Sequence, residues 1–216
     1  LEISNISVYS KNGAAVRLVG KNLTLRRVYF HNNQMGFLAN TNPGRVLIED
    51  SLFENNGKPR SALGHNIYHN GDGELIFRRS KSLGARFEGH ELKSRAARTV
   101  IEDSILGSLD SVDSRTIDIP NGGEVIIRNN IIQIGKNSSN QDVIGIGLEG
   151  ITNNTNNTTT IEGNTFILDR QPSVLVHSEN VPKPLLKSNV IVGKTSRIAE
   201  NNTLFSDRDA ANMPAY

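Results

Sequence analysis

One short phrase recurs along the whole sequence. Its copies read LTLRRVYF at 23–30, VLIEDSLF at 46–53, TVIEDSIL at 99–106, VIIRNNII at 125–132 and TTIEGNTF at 159–166. Self-similarity at this period is typical of repeat architectures, in which each unit buries its apolar face against the next. We therefore predict that residues 1–216 form one domain with a single architecture.

The central apolar residue of the phrase marks eight units. These residues are Ile3, Leu25, Ile48, Phe77, Ile101, Ile127, Ile161 and Leu186. Three residues later, six units carry a serine or an asparagine, namely Ser51, Ser80, Ser104, Asn130, Asn164 and Asn189. Asparagine tolerates left-handed backbone and its side chain bonds neighbouring backbone, so this position predicts a stacked bend.

Apolar and polar residues alternate within each unit, which predicts two short strands on either side of that bend. A third strand is predicted after a variable gap, at 15–18, 36–39, 65–68, 90–95, 116–119, 143–146, 174–177 and 197–199. Three strands per unit predict an all-β solenoid of about eight coils. Because each coil is covered by the next, aliphatic residues can fill a narrow interior, and aromatic residues make up only 5% of the chain.

Composition excludes several other classes of protein. The chain has no cysteine, which excludes a disulfide scaffold or a thiolate metal site. No apolar run approaches the roughly 18 residues of a membrane span. The net charge of +2 is spread along the chain without a basic stripe, so we expect no nucleic-acid partner.

The third strands of units three to five carry the densest chemistry. Their apolar residues Ile67, Leu92 and Ile117 lie 25 positions apart. If these residues point inward, Tyr68, Lys93 and Asp118 form one outward column on neighbouring coils. Asn66, Glu91 and Thr116 are expected in a second outward column, with Arg95 beyond Lys93. The directions of His65, His90 and Arg115 stay open, and His69 lies in the same stretch.

About 25 residues per coil, with Asn or Ser stacked at the second bend, resembles the right-handed parallel β-helix of the pectate-lyase-like superfamily. The segment 91–94, ELKS, is similar to the Lys-Ser segment of the alginate lyase and chondroitinase B family. The resemblance implies a secreted, periplasmic or cell-surface bacterial protein with an acidic polysaccharide as its partner. It also implies that the third-strand sheet floors a polysaccharide groove, walled by insertions at 57–63 and 150–158.

The resemblance favours a polysaccharide lyase that cleaves a uronate-containing polymer by β-elimination. This reaction needs a cation against the sugar carboxylate, a base and an acid. We assign the carboxylate to Arg95 and the base to Lys93, which that family uses as base, with Tyr68, His65 or His90 as the acid or an alternative base. In that family a catalytic arginine lies on the next coil, where this chain has Pro120, so Arg95 or Arg115 would replace it. The expected substrate-binding residues are Asn66, Glu91, Arg115, Asp118 and His69.

Other interpretations stay open. A non-catalytic polysaccharide-binding, adhesion or tailspike-like β-helix would bind without cleavage. A glycoside hydrolase would use two of the carboxyl groups of Glu91, Asp110, Asp113 and Asp118. No cofactor is expected, although Ca²⁺ bound by Glu91, Asp113 and Asp118 is an alternative. The histidines and the charged column are also compatible with purely structural roles.

The ends of the solenoid need covers. The chain opens at Leu1 inside the repeat pattern, so we expect that the N-terminal cap is missing and that an upstream domain or partner covers the first coil. Residues 207–216 are a candidate C-terminal cap.

Overall fold

The computed structural model describes residues 1–8, 13–40, 42–59, 64–152, 156–195 and 201–214. These residues form a right-handed β-solenoid whose three sheets are all parallel, which confirms the predicted fold class. They contain no helix, and therefore no helix long and apolar enough to cross a membrane.

The strands recur in a fixed order from sheet B to sheet C to sheet A. Sheet A contains β1 (Glu2–Ser4), β4 (Tyr29–His31), β7 (Leu52–Glu54), β10 (Lys81–Leu83), β13 (Ile105–Gly107), β16 (Ile131–Ile134), β19 (Thr165–Leu168), β22 (Val190–Val192) and β23 (Thr203–Phe205). Sheet B contains β2 (Val16–Leu18), β5 (Phe37–Ala39), β8 (Ile67–His69), β11 (Leu92–Ser94), β14 (Ile117–Ile119), β17 (Asp142–Ile146) and β20 (Val174–Ser178). Sheet C contains β3 (Leu23–Arg26), β6 (Arg45–Glu49), β9 (Glu74–Arg78), β12 (Arg98–Glu102), β15 (Glu124–Arg128), β18 (Thr158–Glu162) and β21 (Leu185–Lys187).

The solenoid has about seven turns, since sheets B and C each have seven strands, and the predicted eight coils are one too many. The difference lies at Ile3, which the repeat pattern places at the same position as Leu25 of sheet C. Ile3 instead pairs with Phe30 in sheet A. Apolar residues recur once per coil in both sheet A and sheet C, so a single apolar residue near the chain start fits either sheet. The predicted third strand at 197–199 lies outside the described residues.

The core is a column of aliphatic and aromatic side chains enclosed by the three sheets. Each sheet contributes inward apolar side chains, as Ile67 of sheet B, Phe77 of sheet C and Leu106 of sheet A show, and all three are fully buried. Phe30 and Phe53 meet edge to face with ring centroids 5.4 Å apart. Because every coil is covered on both sides, medium-sized side chains suffice to exclude water.

The predicted serines and asparagines form a continuous ladder along the bend between sheets C and A. Each side-chain oxygen accepts the backbone N–H of the equivalent residue on the preceding coil, at 2.9–3.1 Å from Ser51 to Asn189. The ladder ends at Asn202, which accepts the N–H of Asn189 at 3.0 Å. These buried bonds satisfy amides that no strand can pair.

The left-handed backbone lies one residue before the serine or asparagine at which the sequence predicted it. Arg27, Asp50, Arg79, Asp103 and Asn129 have φ between 47° and 56°. The ladder residues that follow them therefore contribute hydrogen bonds rather than unusual backbone. The turn is made by whichever residue precedes the ladder, including bulky arginines.

Charges alternate in sign along the outside of sheet C, just before this bend. The register runs Arg26, Glu49, Arg78, Glu102, Arg128, Glu162 and Lys187. Neighbours form ion pairs, such as Arg78 with Glu49 at 2.8 Å and Lys187 with Glu162 at 2.7 Å. Exposed pairs contribute little individually, but like charges on adjacent strands would repel, so the alternation favours this register.

The C-terminal segment turns back on the solenoid after β23. The Arg208 guanidinium binds the Asp169 carboxylate at 2.7 Å, next to the end of β19. Leu204 of β23 remains half exposed. The cap at 207–216 and the partner at the first coil stay predictions.

We expect Asn164→Ala to destabilise the fold by about 2–4 kcal/mol. Asn164 is fully buried, accepts the Asn130 N–H at 3.0 Å and donates to the Ile127 carbonyl at 2.9 Å. The substitution leaves the buried Asn130 N–H and Ile127 carbonyl without these hydrogen-bond partners. Denaturant unfolding measures the loss. Asn137→Ala is the control, because its side-chain bond is exposed, and it should change stability by less than about 0.5 kcal/mol. Equal losses in the two variants would contradict the structural role of the ladder.

Candidate functional site

The predicted outward column is present on sheet B. Lys93 pairs with Tyr68 on one side and with Asp118 on the other, in direct register. The column continues to Leu38 in one direction and through Gly145 to His177 in the other. We call this outer surface of sheet B, with the side chains next to it, the sheet B face.

The bend before each of these strands places further polar side chains on the sheet B face. His65 and His90 stack with ring centroids 5.0 Å apart, and the His65 ring meets Tyr68 edge to face at 5.3 Å. His90 Nε2 lies 3.5 Å from Asp118 Oδ2, and the Arg115 guanidinium lies 3.6 Å from Asp118 Oδ1. The backbone is not extended there, so strand alternation does not apply and these residues share a face with Tyr68.

The expected outward column of Asn66, Glu91 and Thr116 is wrong, because all three side chains are fully buried. Asn66 Oδ1 accepts from Asn56 Nδ2 at 2.8 Å, and its amide donates to the Leu83 carbonyl at 3.0 Å. The same departure from alternation that turns His65 outward turns these residues inward. Asn66 and Glu91 therefore serve the interior and do not contact a ligand on the sheet B face.

His69 is also an interior residue. It shares the inward parity of Ile67 on β8, pairs with Ser94 on the next coil and is fully buried. Burial lowers the pKa of His69 to about 4, so its imidazole is neutral. The predicted substrate contact by His69 is therefore wrong.

The four carboxyl groups considered for a hydrolase do not converge. Glu91 and Asp113 lie together, fully buried, with Ser108 donating to Asp113 at 2.6 Å. Asp110 is 84% exposed, follows β13 of sheet A and pairs with Lys136. Asp118 is the one member on the sheet B face. The alternative Ca²⁺ ligands are separated in the same way, and no group of three ligating side chains occurs within the described ranges.

Lys93 is held between two carboxylates. Its Nζ lies 2.9 Å from Asp118 Oδ2 and 3.0 Å from Glu149 Oε1. Both contacts are ion pairs, and the Lys93 side chain is 11% exposed. Lys93 is thus placed as a fixed positive charge, and the arrangement weighs against its predicted role as base.

Arg95 binds the other oxygen of the same carboxylate. Its guanidinium donates to Glu149 Oε2 and to Asn121 Oδ1, and its Nε donates to the Tyr68 hydroxyl at 2.9 Å. The Tyr68 hydroxyl in turn donates to Asn70 Oδ1 at 3.0 Å. One carboxylate is therefore shared by an ammonium and a guanidinium, next to a phenol.

The sequence analysis did not identify Glu149, or Asp142 and His177 on the coils after Arg115. Arg115 Nε lies 3.3 Å from Asp142 Oδ2, which also contacts His177 Nδ1 at 2.9 Å. The hydrogen bond that His177 donates to the Asp142 carboxylate raises the pKa of His177 above its ordinary value. His177 ends the predicted third strand at 174–177 and Asp142 directly precedes the one at 143–146, so position in the repeat is the signal that could have found them. Glu149 had no such signal, because it lies in the loop before the insertion at 150–158.

The hydrogen bonds of His90 fix where its proton lies. Nδ1 faces the Arg115 carbonyl at 2.9 Å and must donate to it, which leaves the lone pair of the neutral ring on Nε2. Burial lowers the pKa of His90, although Asp118 opposes that effect. At neutral pH the ring is therefore neutral, with its Nε2 lone pair beside Asp118 at the sheet B face, where the His90 side chain is 9% exposed. His65 Nδ1 accepts the His90 backbone N–H at 3.0 Å and helps to hold the ring.

No known protein family, curated protein or solved structure matches this sequence. A solenoid shape serves many unrelated functions, so it does not by itself establish the pectate-lyase-like superfamily. The functional argument rests on the chemistry of the sheet B face.

The buried Glu91 predicts a pH dependence of stability. Burial, and then the neighbouring Asp113 carboxyl, raise the pKa of Glu91 well above its ordinary value. A raised folded-state pKa contributes stability below the unfolded-state pKa of about 4.3 and loses it as pH rises through the folded value. Glu91→Gln keeps an acceptor for the Ala85 N–H, which Glu91 Oε1 binds at 3.0 Å, and cannot ionise.

We therefore expect the Tm of the native protein to fall between about pH 5 and about pH 8, and the Tm of Glu91→Gln to fall less. At the upper end of this range the Tm of Glu91→Gln should be roughly 2–4 °C higher than that of the native protein. Differential scanning calorimetry across that range measures both curves. Glu88→Gln is the matched control at an exposed position. Parallel curves for the native and Glu91→Gln proteins would show that Glu91 is ionised in the fold.

Proposed function

We propose that this protein cleaves a uronate-containing polysaccharide by β-elimination on the sheet B face. The observation that carries the proposal is the sharing of one carboxylate by Lys93 and Arg95, beside a neutral imidazole and a phenol. A substrate of this kind lies outside the cell, so a secreted, periplasmic or cell-surface location is part of the proposal.

Recognition of the sugar carboxylate would fall to Lys93 and Arg95. β-Elimination begins with loss of the proton on the carbon α to the carboxylate, and negative charge then spreads onto the carboxylate oxygens. Two fixed cations stabilise that charge more in the transition state than in the ground state. Asp118 and Asn121 hold the two side chains in place, so they are positioning residues.

The base in this proposal is His90. Its Nε2 carries a lone pair, borders Asp118 and lies on the same face as Lys93. It takes the α proton, and the electrons of the broken C–H bond form a double bond between the α and β carbons. Asp118 then stabilises the imidazolium, as the carboxylate partner of a catalytic histidine does.

The acid in this proposal is Tyr68. As the double bond forms, the bond between the β carbon and the glycosidic oxygen breaks, and that oxygen takes the phenol proton. Arg95 Nε, 2.9 Å from the phenol oxygen, stabilises the phenolate that remains. The products are an unsaturated sugar end and a new hydroxyl, no water is consumed, and both groups regain their starting states by proton exchange with solvent.

Two other candidate functions have weaker support. Of the carboxyl groups suggested for a hydrolase, Glu91 and Asp113 are enclosed in the solenoid and Asp110 lies on a different surface. A purely binding role would need the same carboxylate contacts but not a neutral imidazole beside them. The variants described next distinguish binding from cleavage.

We expect His90→Asn to lower kcat by at least about 100-fold while leaving the binding of uronate oligosaccharides nearly unchanged. Asparagine can keep the donor to the Arg115 carbonyl but lacks the Nε2 lone pair. The assay is the ultraviolet absorbance of unsaturated ends over a panel of uronate polymers. His177→Asn is the matched control on the same face and should keep most activity. Hydrolytic products, or full activity in His90→Asn, would overturn the mechanism.

The pH profile should carry the signature of His90. Because burial lowers the pKa of His90, its base form persists at pH values below the ordinary imidazole value of 6.5. We therefore expect kcat/KM to decline on the acid side as His90 gains a proton, with the midpoint of that decline at a pH below 6.5. A midpoint above that value would instead point to His177, whose pKa is raised.

A further inference from the structure

The carboxylate shared by Lys93 and Arg95 belongs to the protein itself. Glu149 Oε1 lies 3.0 Å from Lys93 Nζ, and Oε2 accepts from the Arg95 guanidinium. Resting on the proposed function, we infer that Glu149 occupies the position of the substrate carboxylate and must leave before a uronate can bind. Glu149 is then a specificity-determining residue that sets which ligands reach the two cations.

The geometry of Glu149 matches that of a bound carboxylate. It uses one oxygen for the ammonium and the other for the guanidinium, which is how a planar carboxylate would sit between two such donors. Its side chain is 47% exposed, while Lys93 is 11% and Arg95 24% exposed. The carboxylate therefore covers the two cations from the solvent side, on the path by which a sugar would approach.

The loop that carries Glu149 is built from residues that can change conformation. Gly147 and Gly150 flank it with φ of 71° and 87°, where side chains are strained. The Gly147 N–H is anchored to the Ile119 carbonyl at 2.9 Å, whereas a Cβ on Gly150 would meet no atom within 4 Å. The backbone on both sides of Glu149 is held to the preceding coil, because the Glu149 N–H donates to the Pro120 carbonyl at 3.0 Å and Asn121 Nδ2 donates to the Gly150 carbonyl at 3.1 Å. Displacement is therefore a rotation of the Glu149 side chain, which is 47% exposed, and breaks no strand.

This arrangement selects for charge. A neutral sugar cannot replace the charge-assisted hydrogen bonds that Glu149 makes, so its hydroxyl groups lose the competition for Lys93 and Arg95. A uronate offers the same chemistry and gains further contacts on the sheet B face. Displacement also frees Glu149 into water, where a carboxylate is fully solvated. The internal carboxylate keeps the two cations from being left without partners when no substrate is present.

Removal of the Glu149 charge tests the inference. Glu149→Gln should bind uronate tetrasaccharides at least about tenfold more tightly than the native sequence, with binding measured by calorimetry in the His90→Asn background so that the ligand is not consumed. The probes are galacturonate, alginate and hyaluronan tetrasaccharides and their carboxyl-reduced counterparts. Glu149→Ala should show the same gain, which guards against a contact made by the glutamine amide.

The matched control is Glu179→Gln. Glu179 lies just beyond β20 of the same sheet, is 57% exposed and contacts His177 rather than the two cations. Glu179→Gln removes the same unit of charge as Glu149→Gln. Tighter uronate binding by both of these variants would reflect long-range electrostatics and overturn the inference. A gain for carboxyl-reduced sugars as large as the gain for uronates would also overturn it, since the two freed cations must favour a carboxylate over a hydroxyl group.

The outcomes separate the inference from the proposed function. Tighter uronate binding by Glu149→Gln and Glu149→Ala alone supports the inference. Unchanged or weaker binding by both variants, alongside normal elimination by the native protein, overturns the inference and leaves the lyase proposal standing. No uronate binding or cleavage by the native protein or any Glu149 variant overturns both.

Discussion

Hydrogen bonds between successive coils are the constraint on which the rest of the molecule depends. At the bend between sheets C and A, a buried serine or asparagine oxygen accepts the backbone amide of the coil before it, from Ser51 to Asn202. The three parallel sheets extend this pairing along each coil. Each coil is thereby fixed in position on its neighbours, so a residue type that recurs at one place in the repeat becomes a straight column in space.

The sheet B face uses that regularity and departs from it at the same time. Tyr68, Lys93 and Asp118 touch because register places them side by side. His90 joins them because the bend before its strand turns the chain, while Glu149 arrives from a loop after β17. Rigid strands hold the cations and a loop supplies the carboxylate that covers them, a division typical of sites built on regular scaffolds.

Charge pairing links the structural and functional parts of the face. Lys93 contacts Asp118 and Glu149, and Arg115 contacts Asp118 and Asp142. A cluster of cations without partners would carry a large electrostatic and desolvation cost. Fixed carboxylates such as Asp118 keep the cations in place, whereas the carboxylate on the exposed loop can exchange with a ligand. The proposed selection of ligands depends on that difference in exposure between the Asp118 and Glu149 carboxylates.

The sequence by itself determined the all-β solenoid, the Ser and Asn ladder and the column of Tyr68, Lys93 and Asp118. It also marked a central residue in every sheet C strand, although it added one coil too many at Ile3. These features follow from local periodicity, which a repeat turns directly into register. Only the tertiary structure decided which way the bend residues face, burying Asn66 and Glu91 and turning the His90 ring edge toward Asp118. It also brought Glu149 to Lys93 across 56 residues of chain. The bend before sheet B and the loop that carries Glu149 show no such periodic signal, because their conformation is set by packing against neighbouring coils.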